Sequence, residues 1–166
     1  MITPAYVATM AAYNAEMNRR VYAAAARLSD AERRAGRGAF WGSIHGTLNH
    51  LVWGDRIWMS RFAGWPKPPV PLKKSAGLIG DFAELRAARE VLDADLCAWA
   101  GEVDEAWLAG EETWFSGAAQ RLRTHPRALL VAHMFNHQTH HRGQAHAMLT
   151  AAGERTGDTD LFLVLG

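Results

Sequence analysis

His133-Met-Phe-Asn-His-Gln-Thr-His-His-Arg-Gly-Gln-Ala-His146 holds five of the chain's eight histidines. With Leu130 before it and Met148 after it, its apolar residues recur at helical spacing, not at the alternation of a strand. An α-helix turns about 100° per residue, so with His133 at zero His137 lies at about 40°, His140 at about −20° and His141 at about 80°. Leu130 and Met148 fall at about 60° and Met134 at about 100°. His137 and His141 therefore sit inside the apolar stripe, and His133 and His140 stand at its edge. The stretch reads as a long helix with an imidazole pair turned toward the core.

Imidazoles at i and i+4 point the same way and can grip one metal ion. Buried without a metal, each would need a hydrogen-bond partner. Two ligands make an incomplete site, since zinc-type sites take at least three from the protein. The third must come from another helix. His50 is the stronger candidate, on a face with Trp53 and Ile57. His45 is the weaker one, in a first turn read as near solvent. Gln138 occupies the place of the catalytic glutamate in the zincin motif, which disfavours a zincin-type protease.

Three further helices lie upstream. Tyr6, Met10, Tyr13, Met17, Val21 and Tyr22 place one from about residue 4 to Leu28, with Thr3-Pro4 as its cap and first turn. Ser29-Asp-Ala-Glu32 offers a new cap or a turn. Ser43 to Phe62 is apolar on most of its circumference, as in a helix buried on several sides. Four prolines between Pro66 and Pro71 end it and open a connection to about residue 80. Phe82, Leu85, Val91, Leu92, Leu96 and Trp99 place a helix over about 81–101. Glu112–Ser116 and Gln120–Thr124, around the turn Gly117-Ala-Ala, read as a small β-hairpin. Thr124-His-Pro126 opens the histidine helix, which runs to about Ala152 with Gly153 as its cap. The apolar tail Leu161–Leu165 is expected to pack on the bundle. Four long helices and a possible hairpin make an all-α four-helix bundle, read as one domain over residues 1–166.

Composition narrows the function. Eighteen basic and seventeen acidic residues give a net charge of +1, with no electrostatic footprint for nucleic acid or an acidic membrane. The single cysteine, Cys97, excludes an internal disulfide and a cysteine-rich zinc module, and is read as a small packing residue. No apolar run is long enough to span a membrane, and no basic, apolar leader opens the chain. The expected location is the cytoplasm.

Tyr13-Asn-Ala-Glu-Met-Asn-Arg-Arg20, Gly42-Ser-Ile-His-Gly-Thr-Leu-Asn-His-Leu-Val-Trp-Gly-Asp-Arg-Ile-Trp58 and Asn136-His-Gln-Thr-His-His-Arg-Gly-Gln144 come in the order and spacing of the DinB/YfiT-like family, which the chain resembles over nearly its whole length. The resemblance implies a four-helix bundle with one divalent metal on His50, His137 and His141. It also implies a homodimer. Some relatives are thiol-dependent transferases or isomerases that use low-molecular-weight thiols. Many have no known activity, and some are linked to DNA-damage or stress responses by expression alone.

Three histidines leave a coordination position for water or substrate. Imidazole donors suit Zn or Ni, with Fe, Mn and Cu also open. Three neutral ligands leave the full ionic charge, which favours an anionic thiolate as a fourth. The expected function is a metal-dependent enzyme activating a thiol or water on a small-molecule substrate, as an S-transferase, isomerase or hydrolase. The alternative is a non-enzymatic metal- or small-ligand-binding stress-response protein. Gln144, three residues after His141, is read as orienting that ligand or touching substrate. His140 is read as a neighbour of the site. Asp55 lies about 140° round its helix from His50 and is paired in this reading with Arg20 or Arg56. Arg142 is read as a surface or interface ion-pair residue, Gly143 as allowing close helix packing, and His133 and His146 as ordinary polar or interface histidines.

Overall fold

The computed structural model describes every residue except Ala118. Four long helices form the bundle: α1 (Pro4–Ala26), α3 (Ile44–Phe62), α4 (Phe82–Glu102) and α6 (Arg127–Ala151). Shorter helices α2 (Asp30–Arg34), α5 (Glu105–Ala109) and α7 (Leu161–Val164) connect or follow them, and a 3-10 turn spans Leu72–Gly77. Strands β1 (Glu111–Ser116) and β2 (Arg121–Pro126) pair antiparallel.

Side chains cap the orphan amides at most helix starts. Thr3 accepts from Tyr6, with Pro4 in the first turn. Ser29 closes a reciprocal capping box with Glu32. Ser43 accepts from Gly46 and Asp81 from Glu84. Gly153, at φ +87°, ends α6 in the left-handed region, and the amide of Glu154 returns to the Leu149 carbonyl at 3.0 Å.

α1 packs along α4 and α6, and α3 packs along α6 and the 3-10 turn. Val7, Val21, Leu48, Leu51, Met59, Leu85, Leu96, Val131, Phe135 and Leu149 are buried between them. α3 hides most of its circumference, from Ile44 through His50 to Met59. That is the all-round burial its sequence implies.

The start of α6 and the burial of the tail depart from the sequence reading. Thr124-His-Pro126 does not open α6. Glu111 pairs with Pro126 and Glu112 with His125, so the hairpin holds this segment extended until Arg127, whose amide donates to the Gly110 carbonyl. The expected turn Gly117-Ala-Ala includes Ala118, which lies outside the described residues. The tail does not bury itself as expected: Phe162 is 72% and Leu163 57% exposed. The segment before it is tied to α1 by polar contacts, Tyr13 to the Thr159 carbonyl at 2.6 Å and Arg27 to Glu154 at 2.5 Å. α7 touches α1, yet its apolar side chains stay largely exposed.

Candidate metal centre

α3 and α6 run antiparallel, and their register builds the site. Trp58 faces His133, Gly54 faces His137, and His50 faces both His137 and His141. One ring nitrogen from each of His50, His137 and His141 lies within 4.8 Å of the others. Among the described residues this is the one group of three histidine, cysteine or acidic side chains so arranged. His50 and His141 are buried and His137 is half-buried. Gly54 makes room for His137: a Cβ there would lie 3.3 Å from its Cε1.

The donor geometry fits a metal. Nε2 of His50 and Nε2 of His137 are 3.3 Å apart. Tetrahedral bonds of about 2.0–2.1 Å place two ligand nitrogens about 3.3–3.4 Å apart. The outer ring nitrogens of His50 and His141 are engaged elsewhere. His141 Nδ1 donates to the Gln144 carbonyl oxygen at 2.8 Å. An amide oxygen can only accept, so the proton sits on Nδ1 and Nε2 keeps its lone pair. The Gln144 amide nitrogen donates to His140 Nε2 at 3.2 Å. His50 Nδ1 meets Ser75 Oγ at 3.0 Å, which frees Nε2 for the cluster.

All three rings are held neutral. Burial, then the neighbouring imidazoles His141 and His137, pulls His50 down to about 3. Burial, then His141, His133 and His140, pulls His137 down to about 4. Burial likewise lowers His141, against the Gln144 hydrogen bond. Near neutral pH the cluster offers lone pairs without first shedding protons.

Two neighbours of the site were missed in the sequence. Trp41 stacks on His50, centroids 3.9 Å apart, and its buried indole N–H has no acceptor among the described residues. Ser75 sits in the connection after the proline run, with no local signal to distinguish it. Trp53 lies near-parallel to the His50 ring, centroids 6.1 Å apart, and donates to the Val70 carbonyl at 2.8 Å. Ser75→Ala and Gln144→Leu should each weaken metal affinity about 10–100-fold by releasing a ligand ring. Competition against a chromophoric chelator measures this; unchanged affinity in both would show that neither contact orients the site.

Other readings need correction. His45 is not near solvent: it is 3% exposed and donates from Nε2 to the Ile79 carbonyl at 3.1 Å, away from the cluster. Asp55 pairs with neither Arg20 nor Arg56. It is fully buried, bonded to Arg89 at 2.6 Å and accepting from Gln138. Arg142 is not a surface residue: it is buried and donates to Asn14 of α1. Gly143 packs against nothing, since a Cβ there meets no atom within 4 Å. His140 is exposed and lies 4.9 Å from His141, ring to ring, while His146 meets Thr156. Asn49 accepts from the Ile79 amide at 2.7 Å and so fixes the end of the segment carrying Ser75. Burial raises the Cys97 thiol, consistent with a packing role.

A cavity of about 980 Å³ lies between α3 and α4 and is lined by residues such as Arg56, Trp65, Val91 and Trp99. None of the clustered histidines lines it. No described helix is long and apolar enough to cross a membrane. No curated protein and no solved structure matches the chain. The model of the DinB family matches residues 1–165, which is where the three-histidine cluster, its bundle and its order of motifs lead: the chain belongs to the DinB family.

Proposed function

We propose that His50, His137 and His141 hold one divalent ion, Zn or Ni ahead of Fe, Mn or Cu, and that the site activates a thiol or a water toward a small-molecule substrate. The observation that carries this reading is the 3.3 Å separation of two neutral Nε2 atoms, with the outer nitrogens of His50 and His141 tied off by Ser75 and Gln144. When bound, such an ion lowers the pKa of a coordinated thiol or water and polarises a carbonyl.

The protein's part is to keep three imidazoles neutral and oriented. Neutral ligands cancel none of the ion's charge, so an anionic partner is favoured over a neutral one. Trp41 stacks closely on the His50 ring and Trp53 lies near-parallel to it farther off, and the ring itself is buried. Thiol-dependent transfer is the reaction class this arrangement serves best.

A second reading, a non-enzymatic metal- or small-ligand-binding protein, is favoured by one feature. Among the described residues no carboxylate joins the cluster to act as a general base. Metal-loaded protein assayed with low-molecular-weight thiols and a panel of electrophiles separates the two. Thiol-dependent turnover that disappears in His137→Ala supports the enzyme. Metal binding with no turnover and no hydrolysis leaves the binding protein.

A further inference from the structure

Beyond the three histidines the seam between α3 and α6 continues as a row of rings. His137 lies 5.8 Å from His133, His133 lies 5.3 Å from Trp58, and Trp58 lies 5.7 Å from Trp114 on the hairpin, all centroid to centroid. The row ends at Arg61. Its guanidinium lies over both tryptophans, 4.4 Å from the Trp58 centroid and 5.0 Å from that of Trp114.

Stacking uses the faces of a guanidinium and leaves its N–H donors, which lie in its plane, available. Among the described residues Arg61 has neither a hydrogen-bond acceptor nor an ion-pair partner. The acid whose field reaches it, Glu112, is bonded to Arg127 at 3.4 Å. Arg89 and Arg142, which are more deeply buried, both have side-chain acceptors in place. Arg61 is half-buried, and that burial draws its pKa down to about 10. Pinning the hairpin to α3 accounts for the stack; it leaves the guanidinium's N–H donors without a protein acceptor among the described residues and within reach of a ligand from solvent.

We propose that Arg61 anchors the carboxylate of a small-molecule substrate whose body lies along His133 and Trp114, the rings of the row that reach solvent, and whose reacting end reaches the histidine cluster; Trp58, stacked on Phe62 and covered by Arg61, is the buried floor beneath the anchor. A planar carboxylate matches the guanidinium fork in two parallel hydrogen bonds. From His50 to Arg61 is eleven residues of α3, roughly 16 Å of helix axis. The guanidinium folds back over Trp58, so the substrate spans somewhat less. The place of the reacting end rests on the three-histidine reading; the anchor itself does not.

The test uses chelator-treated, metal-free full-length protein, followed by tryptophan fluorescence. The probes are 4-phenylbutyrate and its neutral counterpart 4-phenylbutanol. The acid should give a saturable change, and the alcohol should bind at least about tenfold more weakly, the size of one charge-assisted contact. Arg61→Gln should reduce the acid to the level of the alcohol. Arg61→Lys should keep part of the preference, since the charge remains and the fork is lost. Should Arg61→Gln fail to fold, the acid-to-alcohol ratio in the native protein and in Arg61→Lys decides. Equal binding of acid and alcohol, an unchanged acid affinity in Arg61→Gln, or no saturable change at millimolar acid would overturn the anchor. A parallel metal titration reads the histidine site separately, and Arg61→Gln should leave it unchanged. Loss of metal binding in the native protein would count against that site alone.

Discussion

Arg89→Ala should destabilise the fold by about 3–5 kcal/mol, the scale of removing one partner from a buried ion pair. Arg89 is 1% exposed, at the centre of a polar network inside the bundle. It donates to Asp55 of α3 at 2.6 Å and is ion-paired with Asp93 of α4 at 2.7 Å. Asp93 in turn accepts from Asn18 of α1 at 2.9 Å, and Asp55 accepts from Gln138 of α6. One guanidinium thus links all four long helices. Burial alone would lower its pKa, but the two carboxylates more than offset this and hold it above its ordinary value. Asp55 is pushed up to about 6 by burial, with Arg89 pulling the other way.

Without Arg89 that pull is gone and the Asp55 carboxyl rises further. A carboxyl whose folded pKa exceeds its unfolded value lets the native state bind the extra proton, so stability falls as pH rises from the unfolded value through the folded one. The penalty of Arg89→Ala should therefore be larger at pH 8 than at pH 5. Urea unfolding at both values measures it as a lower midpoint with an unchanged slope. A loss under about 1 kcal/mol at pH 8 would mean the network is not the buried linkage described.

The second large effect falls on metal affinity. Apparent binding energies of about 10–16 kcal/mol for four-ligand structural zinc sites assign roughly 3 kcal/mol to each ligand. Removing His50, His137 or His141 as alanine should each cost on the order of a hundredfold or more in affinity. His45→Ala and His133→Ala should leave it near the native value. His45 points to the Ile79 carbonyl, and His133 stands one turn along α6 from the cluster, against Trp58. The contrast matters more than any single loss, because it separates these three residues from the other histidines. Chelator competition on untagged protein reads all five variants.

Much of this was legible in the chain because it depends on periodicity. The stripe through Leu130, Met134 and Met148 placed His137 and His141 inward, and the apolar circumference of α3 favoured His50 over His45. What stayed hidden depends on which helix packs beside which. Local spacing offers Asp55 only arginines near in the chain, yet its partner Arg89 comes from α4, which no such spacing announces. Arg142 lies about 100° round from His141, which looks like a solvent direction on an isolated helix. α6 is covered on a second side by α1, so that direction leads to Asn14 instead. Ser75 follows a proline-rich connection whose path only the tertiary fold defines. The late start of α6 is likewise set by the hairpin, whose pairing through Pro126 overrides the local helix signal.

We propose that three imidazoles from α3 and α6 share one ion. X-ray absorption on zinc-loaded, untagged protein tests it most directly. Three imidazole shells at about 2.0–2.1 Å, with a lighter fourth position and one zinc per chain, are the expected result. A site with sulfur scattering, two imidazoles or fewer, or a spectrum unchanged in His50→Ala would contradict it.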